Sequence, residues 1–196
     1  LQIGDKAPDF LAENDEEKKV SLKDYSGKRV VLYFYPKDNT SGCTTEAIEF
    51  SDLINSFKDL NTEIIGVSPD SVKSHINFKN KHNLNITLIS DPEKEICQAY
   101  DVWREKSMYG KKYMGVLRST FIISSDGIIE KAETKLETIK ADLESMNYDV
   151  YSYEFIDENT TIVKISNALN KDAVLNTSNH FKFLYNVWLK IFRFKN

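Results

Sequence analysis

Residues 29–35, Arg-Val-Val-Leu-Tyr-Phe-Tyr, form an unbroken apolar and aromatic run, and no other feature constrains the fold as much. A strand with one face in water alternates polar and apolar side chains. A strand covered on both faces reads as continuous apolar sequence. Such a strand needs a layer above and a layer below, and the flanking sequence offers helices for both. Pro36 to Gly42 is loop-like in composition. From Thr44 a helical pattern places Ala47, Phe50, Ile54 and Phe57 on one side. Thr62 to Val67 is a second β-like run, closed by Ser68-Pro69-Asp70. Ser71 to Asn80 reads as a helix with Val72, Ile76 and Phe78 apolar. Ile86 to Ile89 is a short strand, and Asp91-Pro92 opens another helix with Pro92 in its first turn. Ser119 to Ser124 is a strand that Asp126-Gly127 turns into Ile128-Ile129. This alternation predicts an α/β fold with helices on the faces of a central sheet.

Thr134 is predicted to begin a further helix, with Glu137 placed as in a capping box and Leu136, Ile139, Leu143 and Met146 at helical spacing. Beyond Asn147 the texture changes. Val150 to Ile156 is β-like, Asp157-Glu158-Asn159 reads as a turn, and Thr161 to Ile165 is β-like again, which predicts a hairpin. Asn167 to Asn179 is polar and loop-like. His180 to Asn196 is apolar with a basic stripe, residues 182, 186, 190 and 193 sharing one helical face. The expected division is therefore a domain over 1–146 and a C-terminal extension over 147–196, made of a hairpin and an amphipathic helix. That helix is too short to span a bilayer. It either packs on the domain or on a second copy in a homodimer, or lies on a membrane surface through 181–194.

Composition narrows the function classes. A net charge of -4 gives no reason to expect nucleic acid as a partner. Two cysteines in 196 residues are too few for a disulfide scaffold and point to a reducing, intracellular compartment, the cytoplasm. No apolar run reaches the roughly 18 residues that a membrane span needs, and no signal-peptide pattern is visible. An organelle address ahead of Leu1 stays open. His75, His82 and His180 are scattered, read as surface residues, and lack metal-ligand spacing. The seven glycines form no phosphate-binding loop. No flavin, haem, nicotinamide or other cofactor is expected, and no metal.

The chemically informative stretch is Tyr35-Pro36-Lys37-Asp38-Asn39-Thr40-Ser41-Gly42-Cys43-Thr44-Thr45-Glu46-Ala47. Cys43 follows a strand and a Gly-containing loop, where a helix begins. Unpaired N–H groups and the positive end of the macrodipole favour a thiolate there. Thr40 carries a hydroxyl within reach of the sulfur or of an oxygen bound beside it. Pro36 ends the strand and shields the loop, and Gly42 lets the backbone approach closely. On spacing alone, Cys43 is either a reactive thiolate or a small buried hydrophobe, the common fate of a free cysteine.

Pro36, Thr40 and Cys43 match the Pro-x-x-x-Thr-x-x-Cys signature, and the chain resembles the peroxiredoxin family. Phe34 to Thr40 with Gly42-Cys43-Thr44 is similar to its Q-type subgroup, the bacterioferritin comigratory proteins. Ile3-Gly4-Asp5-Lys6-Ala7-Pro8-Asp9-Phe10 is similar to the family's opening strand, Val20 to Tyr25 to its next element, and Gly66 to Ser71 to its strand and helix start. Gly110 to Phe121 resembles the strand that carries the active-site arginine. The resemblance covers residues 1 to about 131, or to 146 with the last helix. It implies a thioredoxin-like fold with a central mixed sheet. It also implies a thiol-dependent peroxidase that reduces hydrogen peroxide and organic hydroperoxides through a Cys43 sulfenic acid. Arg118 would be the arginine that holds Cys43 ionised and orients the peroxide oxygens. It stands among apolar residues, where a cation needs an anionic partner. Glu46, one turn beyond Cys43, either joins that arginine or is a surface carboxylate.

The chain departs from the family's pattern at its second cysteine. Many Q-type members carry a resolving cysteine where Ile48 stands, others in the helix matching residues 71–80, and neither place holds one. Ser41 stands where Pro is usual, and Ser serves as a helix cap. Cys97 is read as a buried core residue and is disfavoured as a resolving thiol. The expectation is a one-cysteine enzyme, resolved by thioredoxin, glutaredoxin or glutathione. A disulfide reductase would need Cys-x-x-Cys, and Thr40 and Glu46 occupy the flanking positions. A redox sensor or chaperone that uses Cys43 oxidation as a signal is the remaining alternative.

Overall fold

The computed structural model describes residues 1–108, 111–134, 149–155, 160–166 and 172–176. The chain divides into two compact units, one of Leu1–Glu105 with Met114–Ile139 and the other of Lys106–Tyr113 with Lys140–Asn196.

In the first unit, β1 (Leu11–Glu13) and β2 (Lys19–Ser21) form an antiparallel ribbon, followed by a 3-10 turn over Leu22–Tyr25. The elements β3 (Arg29–Phe34), α1 (Ser41–Asp52), α2 (Ile54–Asp59), β4 (Thr62–Ser68), α3 (Val72–His82), β5 (Thr87–Ser90) and α4 (Glu95–Ala99) come next. After them, β6 (Trp103–Met108) and β7 (Lys111–Val116) make a separate two-stranded sheet, in which Lys106–Tyr113 are part of the second unit and the remaining residues part of the first. The unit closes with β8 (Ser119–Ile123) and β9 (Ile129–Thr134). The main sheet has the order β5-β4-β3-β8-β9. Its β3, β4 and β5 are parallel, while β8 runs antiparallel to β3 and β9 antiparallel to β8. This is the mixed sheet flanked by helices that the resemblance implies.

The central strand is β3, and it is buried from Val30 through Phe34, as its unbroken apolar sequence requires. Val30, Leu32 and Phe34 face one core with Ile65, Val67, Phe121, Ile123, Cys97 and Tyr100. Tyr33 and Tyr35 face the other side, where their rings stack at 5.5 Å and Tyr33 meets Phe50 at 4.7 Å. Tyr33 pairs in register with Gly66 on β4. A Cβ on Gly66 would come within 2.6 Å of Tyr33 Cζ and Oη and 2.9 Å of Leu88 Cδ2. Glycine is required there so that the phenol can lie across the strand.

Several local expectations are corrected. Residues 3–10 form no strand, only a bridge between Lys6 and Ile128. The helix α1 starts at Ser41 with Thr40 as its N-cap, so Ser41 is the first helical residue and not the cap. On α3 the fully buried residues are His75 and Phe78, while Val72 and Ile76 are half-buried. Pro92 sits in a turn ahead of α4. That helix is capped by Asp91, whose carboxylate accepts from the Ile96 and Cys97 N–H groups at 3.2 and 2.8 Å. Thr134 is the last residue of β9, and the rest of the helix expected to begin there lies outside the described residues. The β6–β7 hairpin has no counterpart in the sequence pattern, because Arg104-Glu105-Lys106-Ser107 and Lys111-Lys112 mask any apolar alternation.

In the second unit, β10 (Asp149–Phe155), β11 (Thr160–Ser166) and β12 (Asp172–Asn176) form an antiparallel sheet in that order. The strands β10 and β11 pair antiparallel where a hairpin is expected, and the turn expected over 157–159 lies outside the described residues. The strand β12 falls in the segment expected to be a loop, because its apolar core is only Ala173-Val174-Leu175. The helices expected over 135–146 and 181–194 lie outside the described residues.

Candidate active site

Cys43 is the third residue of α1 and is 1% exposed. Residues 35–40 run from the end of β3 to the helix start, and Thr40, extended at φ -83° and ψ 153°, makes the cap. The Thr40 carbonyl accepts the Thr44 N–H at 2.9 Å, which closes the first turn around Cys43. The N–H groups of that turn have no carbonyl one turn earlier to bond to, so the sulfur sits at the positive end of the helix. The Thr40 hydroxyl donates to the Lys37 carbonyl at 3.1 Å; its proton is directed at the backbone and not at the sulfur. Pro36 and Gly42 are both half-buried beside this turn.

Arg118 arrives from the other side of the sheet. It lies in the short link between β7 and β8, and β8 pairs with β3 so that Ser119 stands opposite Phe34. The arginine is thereby delivered to the end of β3 from which the Cys43 loop departs. Its Nη2 donates to Cys43 Sγ at 3.1 Å, and its Nη1 makes an ion pair with Glu46 Oε2. Glu46 follows Cys43 by three positions and therefore shares its helix face. It is 1% exposed, so the surface reading of this carboxylate is corrected. Burial alone would weaken the Arg118 charge, but the Glu46 carboxylate and the Cys43 sulfur outweigh it and hold the guanidinium well above its ordinary range. The fixed cation and the helix N-terminus converge on one sulfur. That arrangement presents donors to negative charge on the sulfur or developing on an oxygen bound beside it.

Cys97 is elsewhere in the fold. It is 0% exposed, packed in the core with Phe34 and Tyr100. Burial first, and then the Asp91 carboxylate, push its thiol far up. It is a buried small hydrophobe with no thiolate character. Ile48, on the same helix as Cys43, is 37% exposed.

Two residues near the loop carry no functional signal in the sequence. Tyr33 has a buried hydroxyl with no hydrogen-bond partner among the described residues. Burial, followed by the charges of Glu46 and Cys43, raises its phenol well above the ordinary value. His75, expected at the surface, is instead 0% exposed. Its Nδ1 lies 2.9 Å from Asp38 Oδ2. The available signal is its spacing of three from Phe78 on a helix with few apolar residues. His82 is half-buried with Nε2 3.4 Å from Asn39 Oδ1, and His180 lies outside the described residues. Among the described residues, no cluster of histidine, cysteine and carboxylate could hold a metal ion, and no helix is long and apolar enough to cross a membrane.

Known proteins resemble this chain in sequence and fold. The model of the AhpC/TSA family matches residues 3–132. The chain is 50% identical over 137 residues to peroxiredoxin Bcp of Bacillus subtilis, covering 70% of this chain and 87% of that protein. It is 45% identical over 117 residues to peroxiredoxin Bcp of Xanthomonas campestris, covering 60% and 73%. Among solved structures, a mutant of Xylella fastidiosa PrxQ superposes with a TM-score of 0.66 at 36% identity, covering 75% of this chain and 98% of that one. The Xanthomonas campestris bacterioferritin comigratory protein, solved as trapped intermediate and ligand complexes, gives 0.62 at 38% identity over 70% and 91%.

Proposed function

This chain belongs to the AhpC/TSA family and is a thioredoxin-fold peroxiredoxin, a thiol peroxidase, and from that premise we propose that Cys43 is the residue that attacks the hydroperoxide. The observation that carries the proposal is the 3.1 Å contact between Arg118 Nη2 and Cys43 Sγ at the first turn of α1. The thiolate attacks one peroxide oxygen, an S–O bond forms and the O–O bond breaks. The departing oxygen leaves with the electron pair of that bond and takes up a proton as water or alcohol. The sulfur is oxidised by two electrons to a sulfenic acid.

In this reading Arg118 stabilises both the thiolate and the negative charge that develops on the leaving oxygen. Glu46 fixes the guanidinium plane through its ion pair. Thr40 turns its hydroxyl from the Lys37 carbonyl to the peroxide. Pro36 screens the loop from water, and Gly42 keeps the first turn open to a small oxidant. The Xanthomonas campestris bacterioferritin comigratory protein has alkyl peroxide reduction activity, which supports organic hydroperoxides as substrates beside hydrogen peroxide.

The cycle closes through an external thiol. Ile48 occupies one place where relatives carry a second cysteine, α3 holds none, and Cys97 is locked in the core. A thiol such as glutathione or a reduced thioredoxin or glutaredoxin attacks the sulfenic acid, water leaves, and a mixed disulfide forms. A second thiolate then releases Cys43. Because Cys43 is 1% exposed, the first turns of α1 have to open before a protein thiol can reach the sulfur. The peroxidase domain is assigned to residues 1–146, with 147–196 as an added segment, a reading supported by the family match over residues 3–132; the compact units divide differently, at Ile139 and with Lys106–Tyr113 in the second unit. A cytoplasmic location suits a cycle that needs a reducing thiol pool.

The experiment is mass spectrometry after one equivalent of peroxide, beside a turnover assay of Cys43→Ser. Oxidation confined to Cys43 and complete loss of turnover in the variant are expected. Turnover retained by Cys43→Ser overturns the assignment.

A further inference from the structure

We infer that His75 and Asp38 form a positioning couple that holds the segment leading into α1 in its peroxide-reactive arrangement. The inference rests on Cys43 being the peroxide-attacking residue and adds a determinant that lies outside the thiolate's own contacts.

Between Tyr35 and Cys43, Asp38 is the one buried residue, at 5% exposure. Lys37, Asn39 and Ser41 are exposed, and Pro36, Thr40 and Gly42 are half-buried. A polar loop of this kind has no large apolar side chain to anchor it, so its course depends on what holds Asp38. The Asp38 carboxylate accepts from the Tyr35 hydroxyl at Oδ1, 2.7 Å away, and from the Ser74 hydroxyl at Oδ2, 2.7 Å away. His75 Nδ1 lies 2.9 Å from the same Oδ2. The Asp38 N–H donates to Asp70 Oδ2 at 2.8 Å, and the Ser68 hydroxyl at the end of β4 donates to that oxygen at 2.7 Å. Both the backbone and the side chain of this loop residue are thus tied to the β4–α3 corner.

His75 extends the tie to the edge strand. Its Nε2 is 3.2 Å from the Ile89 carbonyl of β5. A carboxylate and a carbonyl are both acceptors, so each contact uses a ring N–H. The Tyr35 oxygen, 3.4 Å from Nδ1, spends its own proton on Asp38. The imidazole therefore bridges β5 to the loop from a site with no exposure to solvent.

A buried ionic network is weak evidence for stability, because apolar residues of similar volume often serve as well. What such a network supplies here is a fixed geometry. The loop it fixes supplies Thr40, whose hydroxyl and carbonyl set the first turn around Cys43. Displacement of a reacting group by about 1 Å can cost on the order of 10²-fold in rate.

Two substitutions separate this role from simple packing. His75→Gln keeps a donor where Nε2 meets Ile89 and loses the one toward Asp38. His75→Asn keeps the donor toward Asp38 and loses the one toward Ile89. With the full chain, His75→Gln is expected to slow Cys43 oxidation by hydrogen peroxide roughly 10- to 100-fold and to speed amide exchange at residues 38–40. His75→Asn is expected to recover most of the rate and the protection. A parent-like rate in His75→Gln overturns the inference, and so does an equal loss in both variants, which would mark general packing. Asp38→Asn serves if His75→Gln does not fold, and a parent-like rate there overturns it as well. Cys43→Ser, run alongside, reports separately on the nucleophile. Peroxide turnover surviving in that variant sinks the Cys43 assignment, whereas the amide-exchange comparison still tests the couple.

Discussion

Arg118 meets Cys43 across 75 positions of sequence, its Nη2 3.1 Å from the sulfur, because antiparallel pairing of β8 with β3 sets Ser119 opposite Phe34. The same guanidinium neutralises Glu46, so rate and stability depend on it in different ways. Arg118→Met is expected to slow the reaction of Cys43 with peroxide roughly 10²- to 10³-fold, the scale for removing one preorganised donor. It also removes the cation paired with the buried Glu46 carboxylate, a loss of about 3–5 kcal/mol by the precedent of broken buried pairs. Adding Glu46→Gln should restore much of the stability and none of the rate. Stopped-flow oxidation and denaturant unfolding of the single and double variants check both, and recovery of the rate in the double variant would contradict the role given to Arg118.

The sheet contains a steric lock next to this site. Tyr33 lies across Gly66, with its Cζ and Oη each 2.6 Å from where a Cβ would stand, and its hydroxyl is buried without a partner among the described residues. Tyr33→Phe removes an unsatisfied polar atom and keeps the ring, so it should stabilise the fold by about 1 kcal/mol. Gly66→Ala should destabilise by about 1–3 kcal/mol through overpacking. In the Tyr33→Phe background most of that loss should persist, because the ring carbon clashes as well as the oxygen. Unfolding midpoints of the four proteins measure this; full rescue of Gly66→Ala by Tyr33→Phe would place the clash on the hydroxyl alone.

The buried Asp38 network predicts an acid dependence of stability. Burial opposes the Asp38 charge, but hydrogen bonds from His75, Ser74 and Tyr35 and the His75 charge overcome it, leaving the carboxyl below its ordinary value of 3.8. Tyr35, His75 and, through the Asp38 amide, Asp70 are the titratable groups in contact with it. A carboxyl with a depressed folded-state value favours the folded state above its unfolded value, and that contribution disappears as pH falls through the folded one. The stability difference between the parent and Asp38→Asn should therefore be largest at neutral pH and shrink progressively below about pH 4. Denaturant unfolding of both across that range tests it, and a difference independent of pH would mean that Asp38 is not held as a carboxylate.

Much of the fold and site is legible in the sequence. The continuous apolar run of β3 announces a strand covered on both faces, and Cys43 after a Gly-containing loop announces a thiol at a helix start. Arg118 stands out because a cation flanked by apolar sequence must have an anionic partner. The parts that stay hidden share one physical cause: tertiary contacts decide them. His75 and Asp38 are polar residues in polar surroundings, and only the packing of α3 on the sheet makes them a buried pair. The Asp91 cap of α4 acts across a turn that Pro92, read from sequence, places inside the helix. The strands β6, β7 and β12 carry too little apolar alternation for pattern reading, since their pairing is set by backbone hydrogen bonds.

The proposed one-cysteine cycle leads to a prediction about overoxidation. After one turnover the sulfur is a sulfenic acid with no thiol nearby that could condense with it. Ile48 carries none, α3 carries none, and Cys97 is 0% exposed with its thiol pushed far up by burial and by Asp91. An intramolecular disulfide would need α-carbons within about 7 Å and removal of Cys97 from the core cluster that it shares with Phe34 and Tyr100. The sulfenate therefore persists until an external thiol arrives, and a second peroxide can convert it to sulfinic acid, which is normally irreversible. Under excess peroxide and limiting reductant, activity should fall in step with a sulfinic acid on Cys43. Cys97→Ser should inactivate at the same rate and turn over as the parent does with a thioredoxin system. Peptide mapping of the oxidised parent decides the matter. A Cys43–Cys97 disulfide, together with lost turnover in Cys97→Ser, would replace the one-cysteine cycle and leave peroxide attack by Cys43 in place.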